Sequence, residues 1–341
     1  MKNVIVIKLG TNSITNHTNG ELDLKRIEFI AEEISVLMKN YFVILVSSGA
    51  VGTGKKFIQN YKGTLNEKKA AAAIGNPLLM DNYRNIFKNN NIIVAQCLFE
   101  RHHFSQRKPF LQLKETIETL WKNNVLPIAN DNDVVNDIEL RFTDNDELAS
   151  LLAISFNAEK LLIGSSVDGL LDKENNLIKE VKKIDQEILS LVNKNTSESG
   201  LGGMKSKLNF TKLATSMGVE VTIFNAKKEK ILLKAFENKE GTRFHPQLSK
   251  HTSRQRWIAA GAVVCGKVMV DAGAEEAIKE RKSLLAVGVS ALINSFKKEE
   301  IIEIVNLKDE LIALGIAKIN SDSLNKEKQL EVSHADDIVV I

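Results

Sequence analysis

The chain has 341 residues, 43% hydrophobic and 26% charged, with a net charge of +3. That length holds two or three ordinary domains, each able to bury a core. The near-neutral balance excludes binding of nucleic acid by bulk charge and leaves only a local basic patch open. Two cysteines, Cys97 and Cys265, lie far apart in apolar runs; they make neither a disulfide framework nor a zinc site and read as buried structural thiols. The first residues enter a strand without a signal-peptide pattern, and no apolar run reaches the roughly 18–20 residues of a membrane span. A soluble cytoplasmic protein with no membrane role is expected.

In chain order, 3–9 reads as a buried strand broken by Gly10, followed by small polar residues. Leu24, Ile27, Ala31, Ile34 and Met38 recur at helical spacing. A second apolar strand, 42–46, ends in the small-residue stretch SSGAVG. A helix over 67–87, a strand over 92–98, a helix over 110–123 and a strand over 125–129 follow. The acidic loop 130–147 comes next, then a helix over 146–157 and a strand over 160–164. Beyond a Ser/Asn/Thr/Gly-rich loop, 194–203, come a helix over 204–217 and a strand over 219–224. Repeated strand–helix alternation with continuously apolar strands predicts an α/β domain with a mainly parallel sheet covered on both faces. The pattern weakens over 237–255, which contains Pro246. The division expected is a first domain over 1–245, a linker over 246–255 and a second domain over 256–341. The second reads as a small, mostly β module, with strands at 267–270, 284–289, 303–305 and 313–318 and one helix at 274–280.

Four stretches carry candidate chemistry. Lys8 sits inside a buried strand beside Gly10, where a lysine is costly unless it is paired or meets a ligand such as phosphate; the plain alternative is a strand-end lysine reaching solvent. Gly49 to Lys55 fits part of a phosphate-cradling loop, but Lys56 stands where the hydroxyl for Mg²⁺ is needed, so a small-residue turn that lets a ligand approach is the better reading. GLGGMKSK, 200–207, brings glycines and lysines to a helix start; a lysine there opposes the helix dipole unless an anion neutralises it. The alternative is an ordinary flexible loop. The acidic loop holds seven acids against one base, Arg141. It offers carboxylates for a cationic group or for the lysines, a capping box at Asp144 and Glu147, or a divalent-metal site without EF-hand spacing. His102 and His103 have no neighbouring ligands and read as loop residues.

Taken together, VIKLGTNSIT, VSSGAVGTG, AAIGNPLLMDNY, PIANDNDVVNDIELRFTDNDELAS and GLGGMKSKL resemble, in that order, the glutamate 5-kinases of the amino acid kinase family. RQRWIAAGAVVCGKVMVDAGAEEAI and VSHADDIVVI are similar to the PUA module appended to them. The resemblance implies a three-layer αβα kinase domain followed by a PUA-like domain. It implies transfer of the ATP γ-phosphoryl to the side-chain carboxylate of L-glutamate, giving L-glutamyl 5-phosphate in the first step of proline biosynthesis. A reductase would consume the product, proline would inhibit at or near the glutamate site, and a dimer or tetramer would form.

By the same resemblance Lys8 and Lys207 approach the transferring phosphoryl and Asp146 orients them. Ser48, Gly49, Ala50, Asn130, Asp133 and Asn145 hold glutamate. Lys8, Gly10, Ser165, Ser166, Leu201, Gly202, Gly203, Met204, Lys205, Ser206 and Lys207 hold the nucleotide. Mg²⁺ rides on the ATP phosphates and water, with no protein side-chain ligand. Asp137, Glu139 and Glu147 are left as solvated or capping residues. Two positions depart from the family: Ser165-Ser166 replaces its Thr-Asp, and Leu201 replaces a Thr, both at the nucleotide. Two alternatives remain at this level. One is a kinase of another small acid, such as aspartate or N-acetylglutamate. The other is an RNA-binding PUA protein with a vestigial kinase domain, for which Lys250, Arg254 and Arg256 form a basic trio.

Overall fold

The computed structural model describes residues 2–16, 21–105, 107–135, 142, 144–193, 201–247, 258, 264–324 and 329–340. Asp137, Glu139, Arg141, Gly200 and the trio Lys250, Arg254 and Arg256 lie outside them, as do the side chains of His102, Leu201 and Cys265. The chain forms β1 (Asn3–Leu9), α1 (Thr11–Ile14), α2 (Leu24–Leu37), β2 (Tyr41–Ser47), α3 (Ala50–Gly54), α4 (Leu65–Lys88) and β3 (Ile93–Phe99). It continues with α5 (His102–Ser105), α6 (Arg107–Lys122), β4 (Val125–Asp131), α7 (Asn145–Ser155), β5 (Lys160–Ser165) and β6 (Glu180–Val181). Then come α8 (Gln186–Asn193), α9 (Leu201–Ser216), β7 (Glu220–Asn225), α10 (Leu232–Phe236) and β8 (Thr242–Phe244). By packing there are two units: Met1–Glu100 with Leu111–Leu248, and Arg101–Phe110 with Ser249–Ile341.

The first unit holds one sheet in the order β3-β4-β2-β1-β5-β7-β8-β6. Neighbours from β3 to β7 run parallel, and β8 turns antiparallel to β7. The chain leaves β1 toward β2 on one side and later returns to β5 on the other. The loops after β1, β2 and β5 therefore diverge, and the crevice between them is where an open parallel sheet takes its ligands. Strand alternation sends Ile5, Ile7 and Leu9 into a cluster with α2, α4 and α10. Val6 and Lys8 fall on the opposite face, against which α7 packs. Helix α7 is buried on every side from Asp146 to Ser155, as expected of a helix apolar around most of its circumference.

Several expected elements shift. Residues 50–54 form a helix rather than a ligand-admitting turn. Gly49 starts it at φ +114°, and a Cβ on Gly54 would stand 1.9 Å from the Ala71 carbonyl oxygen, while one on Gly75 would stand 1.8 Å from that of Ala50. The glycines here admit α4, not a phosphate, which rules out the partial phosphate-loop match. The elements β6, α8, α10 and β8 were not expected. Each is short or lies in a polar context where periodicity is weak.

The second unit is built from β9 (Val264–Val270), α11 (Ala272–Lys279), β10 (Leu284–Leu285), β11 (Val289–Asn294), β12 (Ile301–Val305), β13 (Leu311–Ile316), β14 (Glu331–Ser333) and β15 (Ile338–Val340). Its main sheet runs β11-β9-β12-β13-β15 around a core that includes Val268, Ile302, Ile304 and Ile338. The strand expected over 284–289 is split by a turn at Ala286–Gly288, where a Cβ on Gly288 would crowd Ala274 of α11. Among the described residues no helix is long and apolar enough to cross a membrane.

Candidate active site

A cavity of about 950 Å³ opens at the C-terminal ends of β1, β2 and β5. Its charged end is built by three elements. Lys8 comes from β1, Asp146 from the first turn of α7 and Lys207 from α9. The ammonium of Lys8 pairs with Asp146 Oδ1 at 2.6 Å, and Lys207 Nζ donates to Oδ2 at 2.9 Å. Asp146 is 1% exposed and Lys8 5%. Burial works against the carboxylate's charge, but the two ammonium groups outweigh it and hold Asp146 below the usual carboxylate range. Lys8 and Lys207 bring two ammonium groups to this end, alongside the carboxylates of Asp146 and of Asp144, the N-cap of α7, which also lines the cavity. Gly10 makes room for the arrangement, since a Cβ there would lie 3.3 Å from Lys8 Nζ.

A neutral end adjoins it. Asn145 Nδ2 donates to Ser48 Oγ at 2.8 Å and to Asn130 Oδ1 at 2.9 Å, with the Ser47 carbonyl at 3.4 Å. Asn130 in turn donates to Asn76 Oδ1 at 3.3 Å. The Asn145 nitrogen is thus fully committed, and its Oδ1 has no hydrogen-bond partner. Behind Ser48, the hydroxyls of Ser47 and the fully buried Tyr83 are 2.6 Å apart, and burial pushes the Tyr83 phenol up to about 12. The remaining wall mixes apolar Val167, Leu170, Leu171, Leu191, Val192 and Met204 with polar Thr11, Asn12, Ser13, Asp144, Ser165, Ser166 and Asn175.

Of the residues expected at the site, Lys8, Gly10, Ser48, Asn145, Asp146, Ser165, Ser166, Gly203, Met204 and Lys207 line this cavity. Gly49, Ala50 and Asn130 lie behind its wall, buried or capping, and Asp133 is half-buried in the turn after β4. Lys205 is exposed, and Ser206 donates to Asp144 Oδ2 at 2.7 Å instead of facing the cavity. Glu147, expected as solvated or capping, is 2% exposed: the cap is made by Asp144 alone, whose Oδ1 accepts from the N–H groups of Asp146 and Glu147. Asn76 was missed; its only sequence signal is a polar residue on the inner face of an apolar helix. Cys97 is half-buried, and burial raises its thiol to about 11, which keeps it protonated and unreactive at neutral pH.

A parallel sheet with a crevice at its switch point, in which one buried carboxylate bridges two lysines facing a cavity, is an arrangement that can receive and stabilise a phosphoryl group. The chain belongs to the amino acid kinase family, whose model matches residues 3–225, and a PUA domain matches residues 266–338. Its relatives include a glutamate 5-kinase of Dehalococcoides mccartyi, 37% identical over 98% of this chain and 92% of that one. A glutamate 5-kinase of Thermoanaerobacter sp. is 34% identical over 99% and 97%. Among solved structures, a carbamate kinase from Giardia lamblia bound to AMP-PNP superposes on the fold with a TM-score of 0.54 at 23% identity, covering 72% of this chain and 99% of that one.

Proposed function

We propose that the chain transfers the γ-phosphoryl of ATP to the side-chain carboxylate of L-glutamate, forming L-glutamyl 5-phosphate, the first step of proline biosynthesis. The observation that carries this is Asp146 holding Lys8 and Lys207 together at one end of the cavity, in a chain similar to glutamate 5-kinases over nearly its whole length. Residues 1–245 are assigned to this chemistry and 256–341 to the appended domain, in a cytoplasmic protein.

An oxygen of the glutamate side chain attacks the γ-phosphorus, the bond to the β,γ-bridging oxygen breaks, and ADP leaves. The nucleophile is already anionic, so no base is needed and catalysis rests on positioning and charge. Lys8 and Lys207 stabilise the charge on the transferring phosphoryl from two sides. Asp146 keeps the two like charges together when no phosphate is bound. Asn145 and Asp133 meet the substrate ammonium, and Ser48 meets a carboxylate. Asp144 and Asp146 are both engaged by protein donors. Mg²⁺ would come with the ATP phosphates and would neutralise part of their charge. Proline would compete at the Asn145 end, and a reductase would consume the labile acyl phosphate.

The test is ATP turnover with a panel of small acids, with hydroxylamine to trap acyl phosphate. Glutamate-dependent ADP release and a glutamyl hydroxamate are expected. Turnover with aspartate or N-acetylglutamate but not glutamate would overturn the substrate assignment. RNA binding without any kinase activity would overturn the class.

A further inference from the structure

We propose that Ser206 is a positioning residue of this phosphoryl transfer, acting through Asp144 to fix the nucleotide-side helix α9 against the acceptor-side helix α7; the proposal rests on the reading above. Its place in the GLGGMKSK motif points Ser206 at the nucleotide. Its hydroxyl points elsewhere, donating to Asp144 Oδ2 at 2.7 Å. The other oxygen of Asp144 accepts from the backbone N–H groups of Asp146, at 2.9 Å, and Glu147, at 3.1 Å. One carboxylate is therefore both the N-cap of α7 and an anchor for the second turn of α9. All three of its bonds bring donors to an anion, the stronger kind of hydrogen bond.

The neighbouring residues form a second bridge, Lys207 to Asp146, and the two differ in reach. Lys207 carries its charge on a flexible four-carbon stem, which can follow a shift of α9 and keep the pair closed. The Ser206 hydroxyl lies one atom beyond Cβ, so its bond to Asp144 fixes how close the two backbones stand. The short bridge, with the packing of α9 on α7, sets where the Lys207 ammonium sits relative to Lys8 and to the acid on the α7 side. Lys207 is 14% exposed on its side chain, so it has room to drift if that register is lost. Phosphoryl transfer depends on in-line placement, and misplacement by about 1 Å can cost on the order of a hundredfold. The register matters most in the transition state, so its loss falls on turnover rather than on substrate binding.

The experiment compares wild type with Ser206→Ala and Ser206→Thr at saturating ATP and glutamate. Ser206→Ala is expected to lower kcat about tenfold, with both KM values within about twofold. Ser206→Thr, which keeps the hydroxyl, is expected to recover most of the rate. If Ser206→Ala fails to fold, Ser206→Cys, with its weaker donor, carries the same expectation. In a double-mutant cycle, adding Ser206→Ala to Asp144→Ala should cost little more than Asp144→Ala alone. An unchanged kcat, a rise in the KM for ATP at unchanged kcat, or additive losses in the cycle would each overturn the assignment. A wild-type protein without glutamate-dependent turnover would sink the functional reading itself, and this proposal with it.

Discussion

Two buried carboxylates in the first unit each hold two cations, at opposite edges of one sheet. Asp146 lies beyond the C-terminal end of β1. Glu220 opens β7 at its N-terminal end, where it takes Lys160 at 2.7 Å and Arg243 through two bonds at 2.6 and 3.0 Å, with Asn238 at 3.2 Å. Lys160 also donates to the Phe236 carbonyl and lies over that ring. The Glu220 cluster ties β5, β7, β8 and the end of α10 together and stands outside the 950 Å³ cavity. The Asp146 cluster lets two ammonium groups face a 950 Å³ space. The same charge pattern is a clamp where its donors are satisfied and a phosphate site where they are not. A buried acid with two bases is therefore not by itself a functional signal; what the cations face decides.

The largest effect that separates them is on rate. Lys8→Ala or Lys207→Ala should lower turnover on the order of a hundredfold or more, because a developing charge loses one of its two partners. Asp146 keeps one cation in either variant, so the melting temperature should move by only about a few degrees. Near-wild-type turnover in either variant would refute the role. At the other edge, Glu220→Gln should destabilise by about 1–2 kcal/mol by taking the shared carboxylate from Lys160 and the partly exposed Arg243, with kcat at saturation unchanged. Urea unfolding alongside a rate assay measures both, and a kcat loss at full folding would erase the distinction.

A smaller effect tests the neutral end of the site. Asp133→Ala should raise the KM for glutamate about tenfold, with the KM for ATP held. A rise confined to ATP would remove Asp133 from the acid's side. The smallest effect is on pH dependence. Burial opposes both charges, but the cations prevail, so Asp146 and Glu220 titrate below the usual range. Their stabilisation is complete above the ordinary carboxylate pKa of about 4 and is lost as pH falls through the lower folded values. Glu220→Gln should therefore flatten the acid limb of a stability–pH profile, and an unchanged limb would remove Glu220 as its source.

The first five strands were legible because they are continuous apolar runs, and the helices around them because their apolar residues repeat at helical spacing. Lys8 and Lys207 were each legible as anomalies, one a cation in a buried strand and the other a cation at a helix start. Their meeting on Asp146 was not, because it joins positions 8, 146 and 207 through tertiary packing that no local pattern encodes. Helix α3 escaped notice because Ala50–Gly54 has almost no side chain to show periodicity. The partner of Ser206 was not legible for a related reason. Its motif fixes its place in the chain but not its partner, and Asp144, 62 residues away, competes for its hydroxyl.

The complete burial of α7 has a consequence for how the enzyme works and varies. A helix enclosed on all sides cannot shift without opening the core, so the Asp146 carboxylate is as stationary as the hydrophobic interior around it. Any movement during a catalytic cycle must come from the nucleotide side, with α7 as the fixed surface against which the phosphoryl is delivered. Substitutions at Leu148, Leu152 or Ile154, which touch no substrate, would then register first as lost speed and only later as lost structure.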